Sequence, residues 1–120
     1  MAYRFQKWQV YKDARVLRIE VNKLSKLFRK DEIYILTNQL RRAVLSVALQ
    51  IAEGSNRKTE KDKNLFINRS ITSLDEVVAC FDCAMDDKYI NQEEYNFILV
   101  KIETVSKQLR GLEKYIGSSY

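Results

Sequence analysis

The sequence predicts an all-α fold, an up-down-up-down four-helix bundle in one domain, and three observations carry that expectation. Apolar residues recur at alternating steps of three and four in four separate stretches, the spacing of one helix face. The 120 residues include no proline and three glycines, so little in the chain breaks a long helix. Period-two alternation, the mark of a half-buried strand, is absent over any useful length. A chain of this length can bury one core and is too short for two.

The first helix is expected over residues 5–29, where Val10, Ala14, Leu17, Val21, Leu24 and Phe28 form a bundle seam. Arg15, Arg18, Asn22, Lys26 and Arg29 fall on a neighbouring face, with Asp13 and Glu20 on the opposite flank. At 1.5 Å per residue this basic stripe is about 20 Å long, enough to follow several backbone phosphates. Residues 30–36 connect to the second helix, and Asp31 and Thr37 are its candidate N-caps. The second helix, expected over 35–54, buries Leu36, Leu40, Val44, Val47 and Ile51. Beside that seam runs a polar one, Arg42, Ser46, Gln50, Glu53 and Arg57, which needs a partner if the helix faces a core. Gly54 is expected to stop the helix in a left-handed conformation.

Thr59 with Asp62 resembles a capping box opening a third helix over 60–87. That helix carries two adjacent seams: Ile67, Ile71, Leu74, Val78, Phe81 and Met85, then Phe66, Ser70, Ser73, Val77, Cys80 and Ala84. Two seams imply two packing partners, either two neighbouring helices or one neighbour and another subunit. Asn91 with Glu94 caps a fourth helix over 91–116, where Tyr95, Ile98, Ile102, Val105, Leu109, Leu112 and Ile116 keep heptad spacing. Residues 117–120 read as a short frayed tail.

Charge is unevenly placed. Residues 1–60 hold thirteen Lys and Arg against six Asp and Glu, whereas residues 61–120 hold eight against ten. A basic half favours an anionic partner, with RNA or DNA first among them. The start of the chain lacks the apolar core of a signal peptide, and no run of eighteen apolar residues occurs, which points to a cytoplasmic protein without a membrane anchor.

Several chemistries are disfavoured. With no histidine, the chain lacks the commonest general base, the Glu-x-x-His motif of di-iron bundles and most zinc-site patterns. Cys80-Phe-Asp-Cys83 matches C-x-x-C, but it lies mid-helix without a second ligand pair, so the thiols read as small core side chains. Asp75, Glu76, Asp82, Asp86 and Asp87 read as a solvated surface rather than a metal site. No Gly-rich phosphate loop or serine nucleophile elbow is present. The expectation is a non-enzymatic protein with no cofactor and no metal.

The segment Gln39-Leu-Arg-Arg-Ala43, Ser46-Val47, Ile51-Ala-Glu-Gly54 and Arg57 resembles the signature of the bacterial 23S rRNA intervening-sequence protein family, which includes the accessory variability determinant proteins of diversity-generating retroelements. Phe5, Trp8-Gln9, Ser73-Leu74 and Glu76 match its opening and third-helix motifs, while Gln50 and Thr72 stand where Asn and Gly are usual. The resemblance implies a four-helix bundle, a ring-shaped homopentamer and a surface suited to nucleic acid. For the retroelement branch it implies a complex with a reverse transcriptase and its RNA.

The candidate residues divide accordingly. Arg15, Arg18, Lys26, Arg29, Arg41, Arg57 and Lys58 are assigned to phosphate contacts, for which guanidinium is well shaped. Arg42, Ser46, Gln50 and Glu53 are assigned to a structural or subunit-interface stripe, with Glu53 pairing to Arg57 one turn on or to an arginine of a neighbouring subunit. No aromatic residue alternates with the cations, so base stacking is not expected. The expected function is electrostatic binding of an RNA or DNA backbone. The alternatives are a scaffold whose basic face docks an acidic protein, and a bundle nuclease that would need its acids gathered around a metal.

Overall fold

The computed structural model describes residues 3–118, with side chains through residue 115. Four helices, α1 (Gln9–Ser25), α2 (Leu36–Ser55), α3 (Glu60–Asp86) and α4 (Gln92–Ser118), are joined by short connections, and 3-10 turns occupy Arg4–Lys7 and Lys30–Tyr34. Each helix packs on the next and α1 closes against α4. The result is a four-helix bundle with no strand among the described residues. The expected seams meet inside it: Ala14, Leu17 and Val21 from α1, Leu40, Val44 and Val47 from α2, Leu74, Val77 and Phe81 from α3, and Ile98, Val105 and Leu109 from α4 are all buried. Ile116's side chain and residues 119–120 lie outside the described residues. Gly117 and Ser118 continue α4 rather than forming a tail.

The first helix is shorter than its pattern implied. Phe5, Gln6 and Lys7 lie in the opening 3-10 turn and Trp8 is extended, so the α-helix starts at Gln9. At the other end Ser25 Oγ donates to the Asn22 carbonyl. The amides of Leu27 and Phe28 then close on the Leu24 and Ser25 carbonyls. This tight turn swings Phe28 edge-on to Phe81, at 6.4 Å between ring centroids, and against Tyr89 at 5.5 Å. Rotation of Phe28 into the core thus replaces the last helical turn.

Neither expected cap of α2 acts as one. Ile35 occupies the N-cap position without a side-chain hydrogen bond, and Thr37 is buried in the first turn. Asp31 instead accepts from Arg29. The caps of the later helices are as expected. Thr59 Oγ1 accepts from the Asp62 amide at 3.1 Å. Asn91 and Glu94 form both bonds of a capping box, at 2.8 and 2.9 Å.

Gly54 does not end α2 by a left-handed turn. It lies inside the helix, no glycine among the described residues has positive φ, and the helix runs on to Ser55. Its role is close approach: a Cβ there would stand 2.8 Å from Phe66 Cβ on α3. The small-residue seam of α3 continues this contact, with Ser70 Oγ donating to the Val47 carbonyl at 2.8 Å and Ser73 Oγ to Ser46 Oγ at 3.0 Å. α3 also packs on α4, so it has two packing partners within one chain.

Among the described residues the left-handed position is Lys88, at φ 64°. The Tyr89 amide reaches back to the Ala84 carbonyl and the Lys88 amide to that of Met85, the paired bonds of a Schellman stop with lysine where glycine is favoured. Lys88→Gly is therefore expected to raise unfolding stability by about 1 kcal/mol, measured by urea denaturation. An unchanged midpoint would remove strain at Lys88 as a factor.

Tyr89 ties this stop to the Lys30–Tyr34 turn by donating its hydroxyl to Glu32 at 2.9 Å. Burial first, and that bond to a carboxylate second, push its phenol up to about 12. Because the folded-state value is raised above the ordinary phenol value, the stabilisation is fully present below about pH 10 and is lost as pH rises toward 12. Urea midpoints across that window should fall more steeply for the wild type than for Tyr89→Phe; parallel slopes would discount the linkage.

Candidate nucleic-acid interface

The geometry of the α1–α2 face follows from antiparallel packing. Arg41 Nε donates to Ser25 Oγ at 3.0 Å, which fixes the end of α1 beside the start of α2. Asp13 accepts from Gln108 of α4, so Arg15, Arg18 and Asn22 lie on the flank of α1 away from α4, and Lys26 follows at the C-cap of the helix. At one end of the face, Lys26, Arg29, Lys30 and Arg41 surround a cleft of about 380 Å³. At the other, Arg4, Arg57 and Lys63 line a cleft of about 670 Å³. The 17 residues of α1 separate these ends by about 25 Å.

The seven assigned cations occupy different settings. Arg15 and Lys26 are exposed, and Arg18 is half-buried on the same flank. The Arg15 guanidinium lies 5.7 Å from the Tyr11 ring centroid, which orients it while leaving its charge unpaired. Arg29 is tied to Asp31; that hydrogen bond, together with the carboxylate charge, holds its pKa above the ordinary guanidinium value. Its charge is thus partly offset. Arg41 is half-buried and anchored on Ser25, so it shapes the smaller cleft as well as lining it. Lys58 is exposed in the α2–α3 connection. Arg57 lies 4.4 Å above Phe66, which also receives Arg69 at 4.8 Å.

The polar stripe of α2 runs along the seam with α3. Arg42, Ser46, Ser73 and Glu76 line a shallow cleft of about 240 Å³, and Gln39 donates to Glu76 across it. Among the described residues Arg42 and Glu53 form no ion pair, and the expected Glu53–Arg57 pair does not form, because Arg57 stacks on Phe66 instead. The Gln50 carbonyl oxygen is buried without a hydrogen-bond donor. Exposed Leu45 and Leu49 share a helix face with Arg42 and Glu53.

The acids and thiols of α3 separate in space. Glu76 faces α2 through Gln39, whereas Asp82 accepts from Tyr95 on α4 at 2.7 Å. Among the described residues no three potential ligands gather as a metal site would require. Burial pushes the Cys80 thiol up to about 11, which keeps it protonated and unreactive near neutrality. Cys83 is exposed rather than a core side chain.

Two features of this surface escaped the sequence pattern. Arg4, Lys30, Lys63 and Arg69 join the assigned cations only through folding. Aromatic rings also stand among cations, as in the Tyr11–Arg15 and Phe66–Arg57–Arg69 contacts. The i, i+4 spacing of Tyr11 and Arg15 was visible in the chain; the pairing of Arg57 with Phe66 across a loop was not.

With the fold and surface defined, the profile of the 23S rRNA-intervening sequence protein family matches residues 6–111. The chain belongs to this family. A crystal structure from Bacteroides thetaiotaomicron, described as a protein with unknown function from the S23 ribosomal protein family, is similar with a TM-score of 0.80 at 18% identity. That similarity covers 88% of this chain and 98% of the other, and it extends to the fold. No curated protein matches the chain. The family description names no catalytic activity, and no helix among the described residues is long and apolar enough to cross a membrane.

Proposed function

We propose that this family member is a non-enzymatic, cytoplasmic nucleic-acid-binding protein that holds the backbone of structured RNA or DNA along its α1–α2 face. What supports this reading is the set of cations at three places: Lys26, Arg29, Lys30 and Arg41 around one cleft, Arg4 and Arg57 in the other, and Arg15 and Arg18 on α1. Of these, Arg29 is paired with a carboxylate; Arg4, Arg15, Arg18, Lys26, Lys30, Arg41 and Arg57 have no such partner among the described residues. Their charge is available to displace counterions from a phosphate backbone.

The working species is a homo-oligomer, in keeping with the pentamer implied by the family resemblance. Support comes from the outer face of α2, where Arg42 stands beside exposed Leu45 and Leu49 without an ion-pair partner among the described residues. The buried, donorless Gln50 oxygen points to the same seam. Within a nucleoprotein complex such a ring would serve as an accessory, with a reverse transcriptase as the partner in the retroelement branch.

The test is fluorescence anisotropy with RNA and duplex DNA across a salt series, with mass measured on the same samples. Affinity that falls log-linearly with salt, in a species larger than a monomer, is the expected result. No binding at about 50 mM salt, where screening is weak, would overturn the reading in favour of docking to an acidic protein.

A further inference from the structure

The larger cleft has a chemistry that backbone binding does not use. It is bounded by the opening 3-10 turn on one side and by the end of α2 with the start of α3 on the other. Tyr3 and Phe5 form one wall, Arg4, Arg57 and Lys63 supply cations, and Glu53 supplies one carboxylate. Its volume of about 670 Å³ lies within the usual range for small-molecule sites, roughly 300–1,000 Å³.

The aromatic wall is built rather than accidental. Phe5 packs edge-on to Tyr11 at 4.9 Å between centroids, and Tyr3 lies 5.9 Å from Phe5 in a tilted arrangement. The turn that presents them is closed by the Tyr3 amide donating to Gln6 Oε1 at 3.2 Å. Yet Tyr3 remains 69% exposed, so a ring that could cover apolar surface is held facing solvent beside three cations. Arg57 is held over the Phe66 ring at 4.4 Å, a contact that positions the guanidinium without neutralising it. Lys63 shares its charge with Glu60 at 3.5 Å. Arg4 and Arg57 are thus the stronger phosphate ligands, and Glu53 has no ion-pair partner among the described residues.

We infer that this cleft takes an unpaired nucleotide of RNA, its base stacked on Tyr3, its phosphate held by Arg4 and Arg57, and its exocyclic amino group donating to Glu53. A paired base cannot enter, because its faces are covered by its neighbours in the helix; a base at a strand end or bulge offers a free face to an aromatic ring. The carboxylate narrows the choice. Cytosine, adenine and guanine carry an exocyclic amino donor and uracil carries none, so the carboxylate disfavours uracil. The inference rests on the proposed nucleic-acid binding and adds to it a position where the duplex ends or is interrupted.

The test compares a blunt RNA duplex with a duplex of equal phosphate count that bears a single-stranded cytidine or uridine extension, at about 100 mM salt. The cytidine-extended duplex should bind about ten-fold more tightly than the blunt one. Tyr3→Ala should make the extended and blunt probes bind alike, and Glu53→Gln should remove the preference for cytidine over uridine. Equal binding of all probes by the wild type, or an extension preference that survives Tyr3→Ala, would overturn the inference while leaving backbone binding intact. If no duplex binds, CMP titrated against Trp8 fluorescence separates the two ideas. Saturable CMP binding lost in Tyr3→Ala retains the cleft and rejects the backbone reading, and absence of CMP binding rejects both.

Discussion

Reversing three exposed cations together, Arg15→Glu, Lys26→Glu and Lys58→Glu, is expected to weaken RNA affinity about 10²-fold at low salt and to flatten its salt dependence by two to three units of slope, since each lost phosphate contact removes about 0.7–0.9. The three positions sample the interface along its length: the middle of α1, its C-terminal end, and the α2–α3 connection. None is buried and none has a carboxylate partner among the described residues. Their substitution should therefore change stability by no more than about 0.5 kcal/mol. Arg41 is a poorer choice despite lining the smaller cleft, because its bond to Ser25 would make lost packing hard to separate from lost charge. Unchanged affinity and slope in the triple variant, with an unaltered urea midpoint, would place any nucleic-acid site elsewhere.

Gly54→Ala is expected to destabilise the bundle by about 1–3 kcal/mol, the usual range for forcing an extra methyl into a packed contact. Helix propensity alone gives the opposite sign, because alanine is favoured over an interior glycine by about 1 kcal/mol. The 2.8 Å approach of the added Cβ to Phe66 Cβ decides between them. The opposing atom is the first carbon of a side chain fixed on α3, not the yielding tip of a long one, so relief requires α2 and α3 to move apart. Trimming the ring by Phe66→Ala leaves that Cβ in place and should not rescue Gly54→Ala. A urea midpoint that rises on Gly54→Ala would show that the seam yields freely. Separation of the two helices would also carry Arg57 off the Phe66 ring, so a fall in RNA affinity should accompany the loss of stability.

The local signals most legible in the sequence were those that one helix settles by itself. The seams of α3, and that of α4 as far as Leu112, place their residues as expected because burial of one face follows from helical period alone. The Asn91–Glu94 capping box forms because both partners lie within one turn. Signals failed where a second element intervened. The pattern of the first helix runs through Phe28, yet the helix stops at Ser25 because Phe28 finds Phe81 and Tyr89 by turning inward. Gly54 looked like a helix stop and is a contact point; the actual left-handed stop falls on Lys88, where the sequence gives no glycine.

For the candidate interface, the chain by itself determined that Arg15 and Arg18 share a flank of α1 and that Arg42, Ser46, Gln50 and Glu53 form one stripe, since 3.6 residues per turn fixes both, whereas Lys26 and Arg29 fall beyond the end of α1. It also determined the four-helix class, because four amphipathic stretches without proline have no other economical way to bury their apolar faces. Only the tertiary structure decided that Arg57 stacks on Phe66 rather than pairing with Glu53, that Arg29 is offset by Asp31, and that Tyr3 and Phe5 stand beside Arg4 and Arg57. Those relations depend on where helices and turns meet in space, and contacts across a loop or between helix ends have no period that a sequence can display.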